Sequence, residues 1–247
     1  MATYDYKSGK KRIEAILDNK LTIIEENELP TDDVLTFSNG YYSWVTGIFV
    51  DIRGSSELFA DQDKEKISKV IRSFTSEVIE ILRIDENLRE IGIRGDCVYA
   101  IYTTPQKDDI FELADKTFYI NTYMKMLNKL LSERKLPIIN VGIGMSSAQE
   151  LVIKAGRKDV GINSKVWIGK AVTLASNFSS LGNKNGNSAL VYSSCSYENF
   201  IDKLVERSGQ KSKGWFECHF DKENGYYYTA NIIKTDFDEW ISNGMKD

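Results

Sequence analysis

The sequence contains one histidine, three prolines and three cysteines among its 247 residues. A histidine-rich metal site is therefore excluded, and a Ser-His-Asp triad would depend on His219 alone. His219 adjoins Cys218 in the stretch WFECHFD, and neighbours on a strand face opposite ways, so we expect His219 to be structural. The three cysteines are Cys97, Cys195 and Cys218. Their number is odd and they lack Cys-x-x-Cys spacing, which favours a reduced cytoplasmic protein.

Long apolar runs are also missing. No stretch reaches the roughly 18 residues that a membrane helix needs, and the basic N-terminus MATYDYKSGKKRIEAILDNK is not followed by an apolar signal core. The net charge is −4, from 32 Lys and Arg against 36 Asp and Glu, whereas proteins that bind nucleic acid usually carry a strongly basic face. We therefore expect a cytoplasmic protein with no nucleic-acid and no membrane partner.

The apolar patterns occur in the order strand, helix, hairpin, helix, strand, strand. They predict a helix at about 9–27, a strand at 44–51, a helix at 63–83, a hairpin turning at 94–96, a helix at 108–134, a strand at 138–147 with ELVIKAG as its hairpin partner, and a helix at 166–181. This order favours an α+β fold of the ferredoxin-like or palm type, with a central, mostly antiparallel sheet and flanking helices.

Two carboxylates stand at the ends of predicted strands. Asp51 ends the apolar run VTGIFVD, and Asp96 lies in the turn of the hairpin IRGDCVYAIY. Each residue alone is typical of an ordinary turn. In a palm-like sheet, however, both would emerge at one edge and share one or two divalent cations. Mg²⁺ favours such sites, which combine a few carboxylates with substrate phosphate oxygens and serve displacement at phosphorus.

The loop after Asp51 reads IRGSSELF. Gly54 allows close backbone approach to a ligand, and Ser55 and Ser56 offer hydroxyl and N–H groups at a helix start. A simple N-cap is the alternative interpretation, but with Asp51 adjacent we predict a triphosphate-binding loop. No P-loop motif of the type G-x-x-x-x-G-K-[ST] occurs in the sequence.

Four stretches in this order resemble the motifs of class III nucleotidyl cyclases. They are FVDIRGSSELF (49–59), IRGDCVYAIY (93–102), NVGIGMSS (140–147) and VWIGKAVTLASNF (166–178). The short single-domain form resembles the pyrimidine cyclases of bacterial antiphage defence. The resemblance divides the chain into an N-terminal helical extension (1–40), a cyclase catalytic domain (41–195) and a C-terminal extension packing on the core (196–247).

The resemblance implies a metal-dependent conversion of UTP to 3′,5′-cyclic UMP and pyrophosphate. Asp51 and Asp96 would be catalytic and would bind two Mg²⁺ or Mn²⁺ ions with the backbone carbonyl of Ile52. The nucleoside triphosphate would be held by Arg53, Gly54, Ser55, Ser56 and Arg94. The resemblance also implies a homodimer, with the 166–177 segment of one chain meeting the carboxylates of the other, and a separate effector protein that senses the product.

The sequence departs from the family pattern at four positions. The base-reading Lys and the second base-reading residue of adenylyl cyclases fall on Gly92 and Val166, which disfavours ATP and GTP. The usual Asn and Arg of the last motif fall on Thr173 and Asn177. Since that Arg stabilises charge on the phosphate, another cation must replace it in an active enzyme; the candidates are Arg94, Lys170 and Lys184. Candidate base-stacking residues are Tyr41, Tyr42 and Tyr99.

Three alternatives remain open on the sequence. A cytidylate cyclase would use CTP in the same way, since no residue distinguishes the two pyrimidines. A catalytically degenerate cyclase homologue would bind nucleotide without turnover. Another palm-type phosphotransferase is weakened because RGDC, rather than a Gly-Gly-acid-acid turn, occupies the hairpin.

Overall fold

The computed structural model describes residues 3–60, 63–157 and 160–246. Nine strands in these residues form one sheet. They are β1 (Thr22–Glu25), β2 (Asn39–Ile52), β3 (Leu88–Arg94), β4 (Cys97–Thr103), β5 (Val141–Arg157), β6 (Ile162–Ile168), β7 (Leu190–Ser193), β8 (Phe216–Asp221) and β9 (Gly225–Ala230). The helices are α1 (Tyr6–Leu17), α2 (Ser55–Ala60), α3 (Lys64–Arg83), α4 (Lys107–Glu133), α5 (Lys170–Leu181), α6 (Ser194–Ser208) and α7 (Thr235–Ser242).

The sheet has the spatial order β3-β4-β2-β5-β7-β9-β8, with β1 beside β2 and β6 beside β5. β2 is central and antiparallel to both β4 and β5. The unit β2-α3-β3-β4-α4-β5 is the ferredoxin-like arrangement, so the predicted α+β fold is confirmed. The predicted hairpin turn is also confirmed, since β3 ends at Arg94 and β4 begins at Cys97.

The two faces of the sheet bury different sets of side chains because alternate residues of a strand point to opposite faces. On one face, Ile48 and Val50 of β2 belong to the main core with apolar residues of α3, α4 and α6. On the other face, Gly47 of β2 lies against Ala171 and Ala175 of α5. The face that carries α5 is also the face of Asp51, four residues after Gly47.

Glycines on β5 allow α5 to lie directly on the sheet. A Cβ atom on Gly144 would stand 2.1 Å from the carbonyl oxygen of Ala175, and one on Gly142 would stand 2.0 Å from that of Ser179. No side chain fits at either position, so the backbone of α5 touches the backbone of β5. This contact fixes the depth at which α5 crosses the sheet.

Three sequence predictions of secondary structure are wrong in whole or in part. The helix predicted at about 9–27 ends at Leu17, and the β-branched run beginning at Thr22 pairs with β2 as a parallel strand. The predicted hairpin partner ELVIKAG instead continues β5, a strand of 17 residues, whose partner is β6. The helix predicted at 166–181 begins too early: residues 166–168 are the end of β6, and α5 begins at Lys170 after its N-cap Gly169. Val166 and Ile168 fit either period.

Among residues 3–60, 63–157 and 160–246, no helix combines the length and the apolar composition that crossing a bilayer requires.

Candidate active site

Asp51 and Asp96 lie at the same edge of the sheet. Asp51 is the second-last residue of β2 and pairs with Cys97 of β4 and Gly142 of β5. Asp96 immediately precedes Cys97 in the turn, where Gly95 adopts a φ of 65°, a left-handed conformation that suits glycine. The strand pairing thus brings together the two carboxylates that the sequence analysis selected.

The two carboxylates influence each other electrostatically. Burial raises the pKa of Asp51, the Arg53 guanidinium lowers it, and the charge of Asp96 raises it again. Burial also raises the pKa of the Cys97 thiol to about 12, with Asp51 as the next cause. The carboxylates of Asp51 and Asp96, with the Arg53 guanidinium beside Asp51, form an electronegative edge that a divalent cation would neutralise.

The donor set fits Mg²⁺ or Mn²⁺. Within the ranges that the structure describes, no three His, Cys, Asp or Glu side chains gather into a closed metal-binding group. Asp51 and Asp96 would offer hard carboxylate oxygens at one sheet edge, with the Ile52 carbonyl as the predicted third donor. Mg²⁺ typically binds one or two carboxylates and completes its shell with water and phosphate oxygens. The residues present would therefore suit a cation that arrives with a nucleotide.

Arg53 joins three parts of the site. One guanidinium nitrogen, Nη2, donates to Oδ2 of Asp51, and Nη1 donates over 2.8 Å to the carbonyl oxygen of Ser180 near the end of α5. The backbone N–H of Arg53 donates over 2.8 Å to the carbonyl of Asn140. Its Nε is buried and has no hydrogen-bond partner among the described residues. The side chain is thus held beside Asp51, and its buried Nε–H donor is unused by the described residues.

The loop after Asp51 is open to a ligand at Gly54. Gly54 has a φ of 64°, and a Cβ atom built on it would meet nothing within 4 Å. The Gly54 carbonyl accepts from the N–H groups of Glu57 and Leu58 and so closes the first turn of α2. Ser55 and Ser56 are the first two residues of that helix, and Ser56 is exposed. Arg94, two residues before Asp96, is exposed as well.

Gly92 and Tyr99 form a second part of the site, on the same sheet face as Asp51. The two residues pair across β3 and β4, and a Cβ atom on Gly92 would stand 2.8 Å from the Tyr99 hydroxyl oxygen. That hydroxyl donates over 2.9 Å to Glu90, and Nε1 of Trp167 donates over 2.9 Å to the other oxygen of Glu90. The ring of Phe49 stacks on Tyr99 with 5.4 Å between centroids.

Sequence reasoning missed Phe49, Glu90 and Trp167. Strand alternation offered a signal for Phe49, because a residue two positions before Asp51 shares its face. No comparable signal pointed to Trp167, which reaches Glu90 only because β6 folds back beside β5. One predicted base-stacking residue is wrong: Tyr41 is 7% exposed and packs in a core with Leu29 and Leu35.

The positions on α5 make contacts of their own. Thr173 is exposed, and its hydroxyl donates over 3.0 Å to the carbonyl of Gly169. The side-chain amide of Asn177 donates over 3.3 Å to Asn224 in the turn between β8 and β9. Val166 on β6 is 39% exposed. These side chains thus lie along α5 and β6, on elements other than those of Asp51 and Asp96.

Comparison with known proteins gives two close relatives in sequence. The chain is 55% identical over 244 residues to a uridylate cyclase of Treponema porcinum. The match covers 99% of this chain and 83% of that protein. It is 31% identical over 250 residues to a uridylate cyclase of Gulbenkiania mobilis, covering 96% of each chain. Among solved structures, the guanylyl cyclase Cya2 matches with a TM-score of 0.62 at 17% identity, over 79% of this chain and 95% of the other.

Residues 38–204 match the family described as adenylate and guanylate cyclase catalytic domain. The match contains the whole ferredoxin-like unit, both carboxylates and α5. The chain therefore belongs to the class III nucleotidyl cyclase family.

Proposed function

We propose that this chain is a metal-dependent uridylate cyclase, which converts UTP to 3′,5′-cyclic UMP and pyrophosphate. The observation that carries the proposal is the meeting of Asp51 and Asp96 at one sheet edge, in a chain 55% identical to a uridylate cyclase. In this reaction the 3′-hydroxyl oxygen bonds to the α-phosphorus, and the bond from that phosphorus to the bridging oxygen of pyrophosphate breaks. The hydroxyl proton is released to solvent.

The residues around Asp51 and Asp96 would have separate roles in this reaction. Asp51, Asp96 and the Ile52 carbonyl would hold Mg²⁺ or Mn²⁺, which supplies Lewis-acid polarisation of the phosphate and a more acidic 3′-hydroxyl. The open backbone at Gly54, with Ser55 and Ser56, would hold the triphosphate. Arg53 and Arg94 would add positive charge that offsets the roughly four negative charges of the triphosphate.

A pyrimidine suits the surroundings of Gly92. The Tyr99 ring occupies the space in which a side chain at position 92 would lie, and Glu90 fixes that ring by a hydrogen bond. Less room remains for a two-ring base, and Tyr99 and Phe49 offer aromatic surfaces for a one-ring base. These observations favour UTP or CTP over ATP and GTP.

The assembly is part of the proposal. Two isoleucines and one valine on β6 are exposed in the single chain: Ile162 at 71%, Ile168 at 48% and Val166 at 39%. A head-to-tail homodimer would cover this strand and bring the 166–177 segment to the carboxylates of the other copy. Three free thiols favour the reducing cytoplasm. The product would act as an antiphage signal through a separate effector protein, and the division at residues 40 and 195 stays a prediction.

A non-catalytic nucleotide-binding protein is the second candidate. It is favoured by Asn177, which stands where the family has its transition-state Arg and which is hydrogen-bonded to Asn224. A cytidylate cyclase is a variant of the first proposal and differs only in the base.

The deciding experiment incubates the purified protein separately with ATP, GTP, CTP and UTP in the presence of Mn²⁺, and identifies products by mass spectrometry. Cyclic UMP from UTP alone supports the proposal, and cyclic CMP assigns the cytidylate alternative. Cyclic AMP or cyclic GMP overturns the argument from Gly92 and Tyr99. Calorimetric binding of UTP with no product from any substrate supports the second candidate.

A further inference from the structure

Arg53 and a divalent cation would compete for the same carboxylate, that of Asp51. Oδ2 of Asp51 accepts a hydrogen bond from the Arg53 guanidinium, and the same carboxylate is the proposed cation ligand. A divalent cation bound to this carboxylate opposes that hydrogen bond, because its positive charge repels the guanidinium at short range and reduces the charge on the oxygens that attracts it. The two positive groups are therefore competitors for Asp51 rather than neighbours around it.

The buried Nε donor of the Arg53 guanidinium also bears on its role. Nε of Arg53 is buried and makes no hydrogen bond to any residue that the structure describes. A buried donor without an acceptor is costly, so such a group is normally matched by a ligand or a water molecule. Nη1 donates to the Ser180 carbonyl on the other side, so the guanidinium keeps this contact when its hydrogen bond to Asp51 is lost.

Open space lies next to Arg53. A Cβ atom on Gly54 would meet nothing within 4 Å, and the Arg53 side chain itself is 17% exposed. A ligand that approaches Arg53 therefore arrives through the loop at Gly54. An oxyanion is the ligand that matches a forked guanidinium, because the fork donates two parallel hydrogen bonds to phosphate oxygens.

We propose that Arg53 is an exchangeable counter-ion of Asp51: it holds the carboxylate until a divalent cation takes its place there, and the released guanidinium then binds the triphosphate. The inference rests on the proposed function for the identity of the cation and of the phosphate. Arg53, in the loop after Asp51, would then supply a positive charge at the phosphates. The family has an Arg for this purpose at the position of Asn177.

The first test measures Mn²⁺ binding without nucleotide, by electron paramagnetic resonance of free Mn²⁺. Arg53→Met keeps the length of the side chain but removes the competitor, so its affinity for Mn²⁺ should be about two- to fivefold tighter than that of the wild type. Arg53→Lys, the matched control, keeps the charge and should stay near the wild type. Equal or weaker Mn²⁺ binding by Arg53→Met overturns the inference.

The second test measures binding of a non-hydrolysable UTP analogue with Mg²⁺ by calorimetry. Arg53→Met should bind the analogue more weakly while it binds Mn²⁺ more tightly, and opposite changes are not expected of a purely structural residue. A fall of both affinities overturns the inference, since it indicates damage to the loop. Both readouts are independent of turnover, so a protein that binds as expected but makes no cyclic UMP contradicts the proposed function alone.

A third measurement follows the wild-type protein itself and needs the Arg53→Lys variant only to assign one resonance. With ¹⁵N-arginine labelling, the Nε–H resonance of Arg53 is assigned from its absence in Arg53→Lys. Addition of Mg²⁺ should shift this resonance, and later addition of the UTP analogue should shift it again. A resonance that ignores Mg²⁺ at concentrations that saturate the site overturns the exchange.

Discussion

Gly92 and Tyr99 face each other across β3 and β4 so closely that the tyrosine ring occupies the side-chain space of position 92. The ring cannot move aside freely, because its hydroxyl is bonded to Glu90 and its face is stacked on Phe49. The residue types at 92 and 99 are therefore coupled, and a change at one is expected to depend on the other.

The first prediction concerns this pair. Gly92→Ala should lower the free energy of unfolding by about 1–3 kcal/mol, because the added methyl group overlaps the Tyr99 ring in a packed region. Tyr99→Ala should cost stability by itself but remove most of the further penalty of Gly92→Ala. Urea denaturation of the four proteins in a double-mutant cycle measures this coupling, and additive effects of the two substitutions contradict it.

The second prediction concerns the carboxylates. Asp51→Asn and Asp96→Asn should each lower cyclic UMP formation at least about 100-fold, because an amide neither neutralises nor binds the cation as a carboxylate does. Glu77→Gln removes an exposed acid on α3 and serves as the control, with unchanged product. Substantial cyclase activity in both Asn variants would refute the metal assignment.

The third prediction is a pH dependence carried by Glu150. Glu150 is fully buried. Its Oε1 accepts a hydrogen bond of 3.0 Å from the backbone N–H of Val172 in α5. Its Oε2 has no hydrogen-bond partner among the described residues. Burial raises the pKa of Glu150, which two backbone hydrogen bonds lower in part. The folded state therefore holds the proton more tightly than the unfolded state, so this group favours folding at low pH.

The sign follows from that difference. Below the ordinary pKa of 4.5 both states are protonated, and the stabilising contribution of the proton is complete. As the pH rises, the unfolded state loses its proton first, and the contribution is lost by the time the pH passes the raised folded pKa. Glu150→Gln keeps a carbonyl acceptor for Val172 and has no charge to bury.

The difference in the free energy of unfolding between Glu150→Gln and the wild type should therefore grow as the pH rises. Glu150→Gln should match the wild type near pH 4 and exceed it by about 1 kcal/mol at pH 8, where the wild type carries a buried, partly unsatisfied carboxylate. Urea midpoints between these values measure the difference. Glu133→Gln, on an exposed site at the end of α4, controls for the lost charge; a difference that is constant with pH would contradict the assignment to Glu150.

The fourth prediction concerns the contact between α5 and β5. Gly144→Ala should destabilise the fold by at least about 2 kcal/mol, because the methyl group meets backbone atoms that no rotamer change can move. It should also reduce cyclase activity, since α5 must lift from the sheet that presents Asp51. Gly214→Ala, where a Cβ meets nothing within 4 Å, is the control, and thermal unfolding of both variants gives the comparison.

Both strand-end carboxylates could be predicted because they depend on local patterns. A buried strand shows as an apolar run, a tight turn shows as Gly95 beside Asp96, and the order of elements limits the sheet topology. The same reasoning failed at residues 22–25 and 162–168. These segments are strands because β2 and β5 offer them a free edge, and a short apolar pattern fits helix and strand almost equally well.

The sequence by itself determined the class of chemistry, since the order of four motifs and the ends of two strands already point to displacement at phosphorus. Only the tertiary structure decided which groups surround the carboxylates. Tyr99 over Gly92, Trp167 on Glu90 and Arg53 between Asp51 and Ser180 are contacts across strands and between the loop and α5. Such contacts depend on register and on the depth of helix packing, which act over distances along the chain that local propensity does not encode.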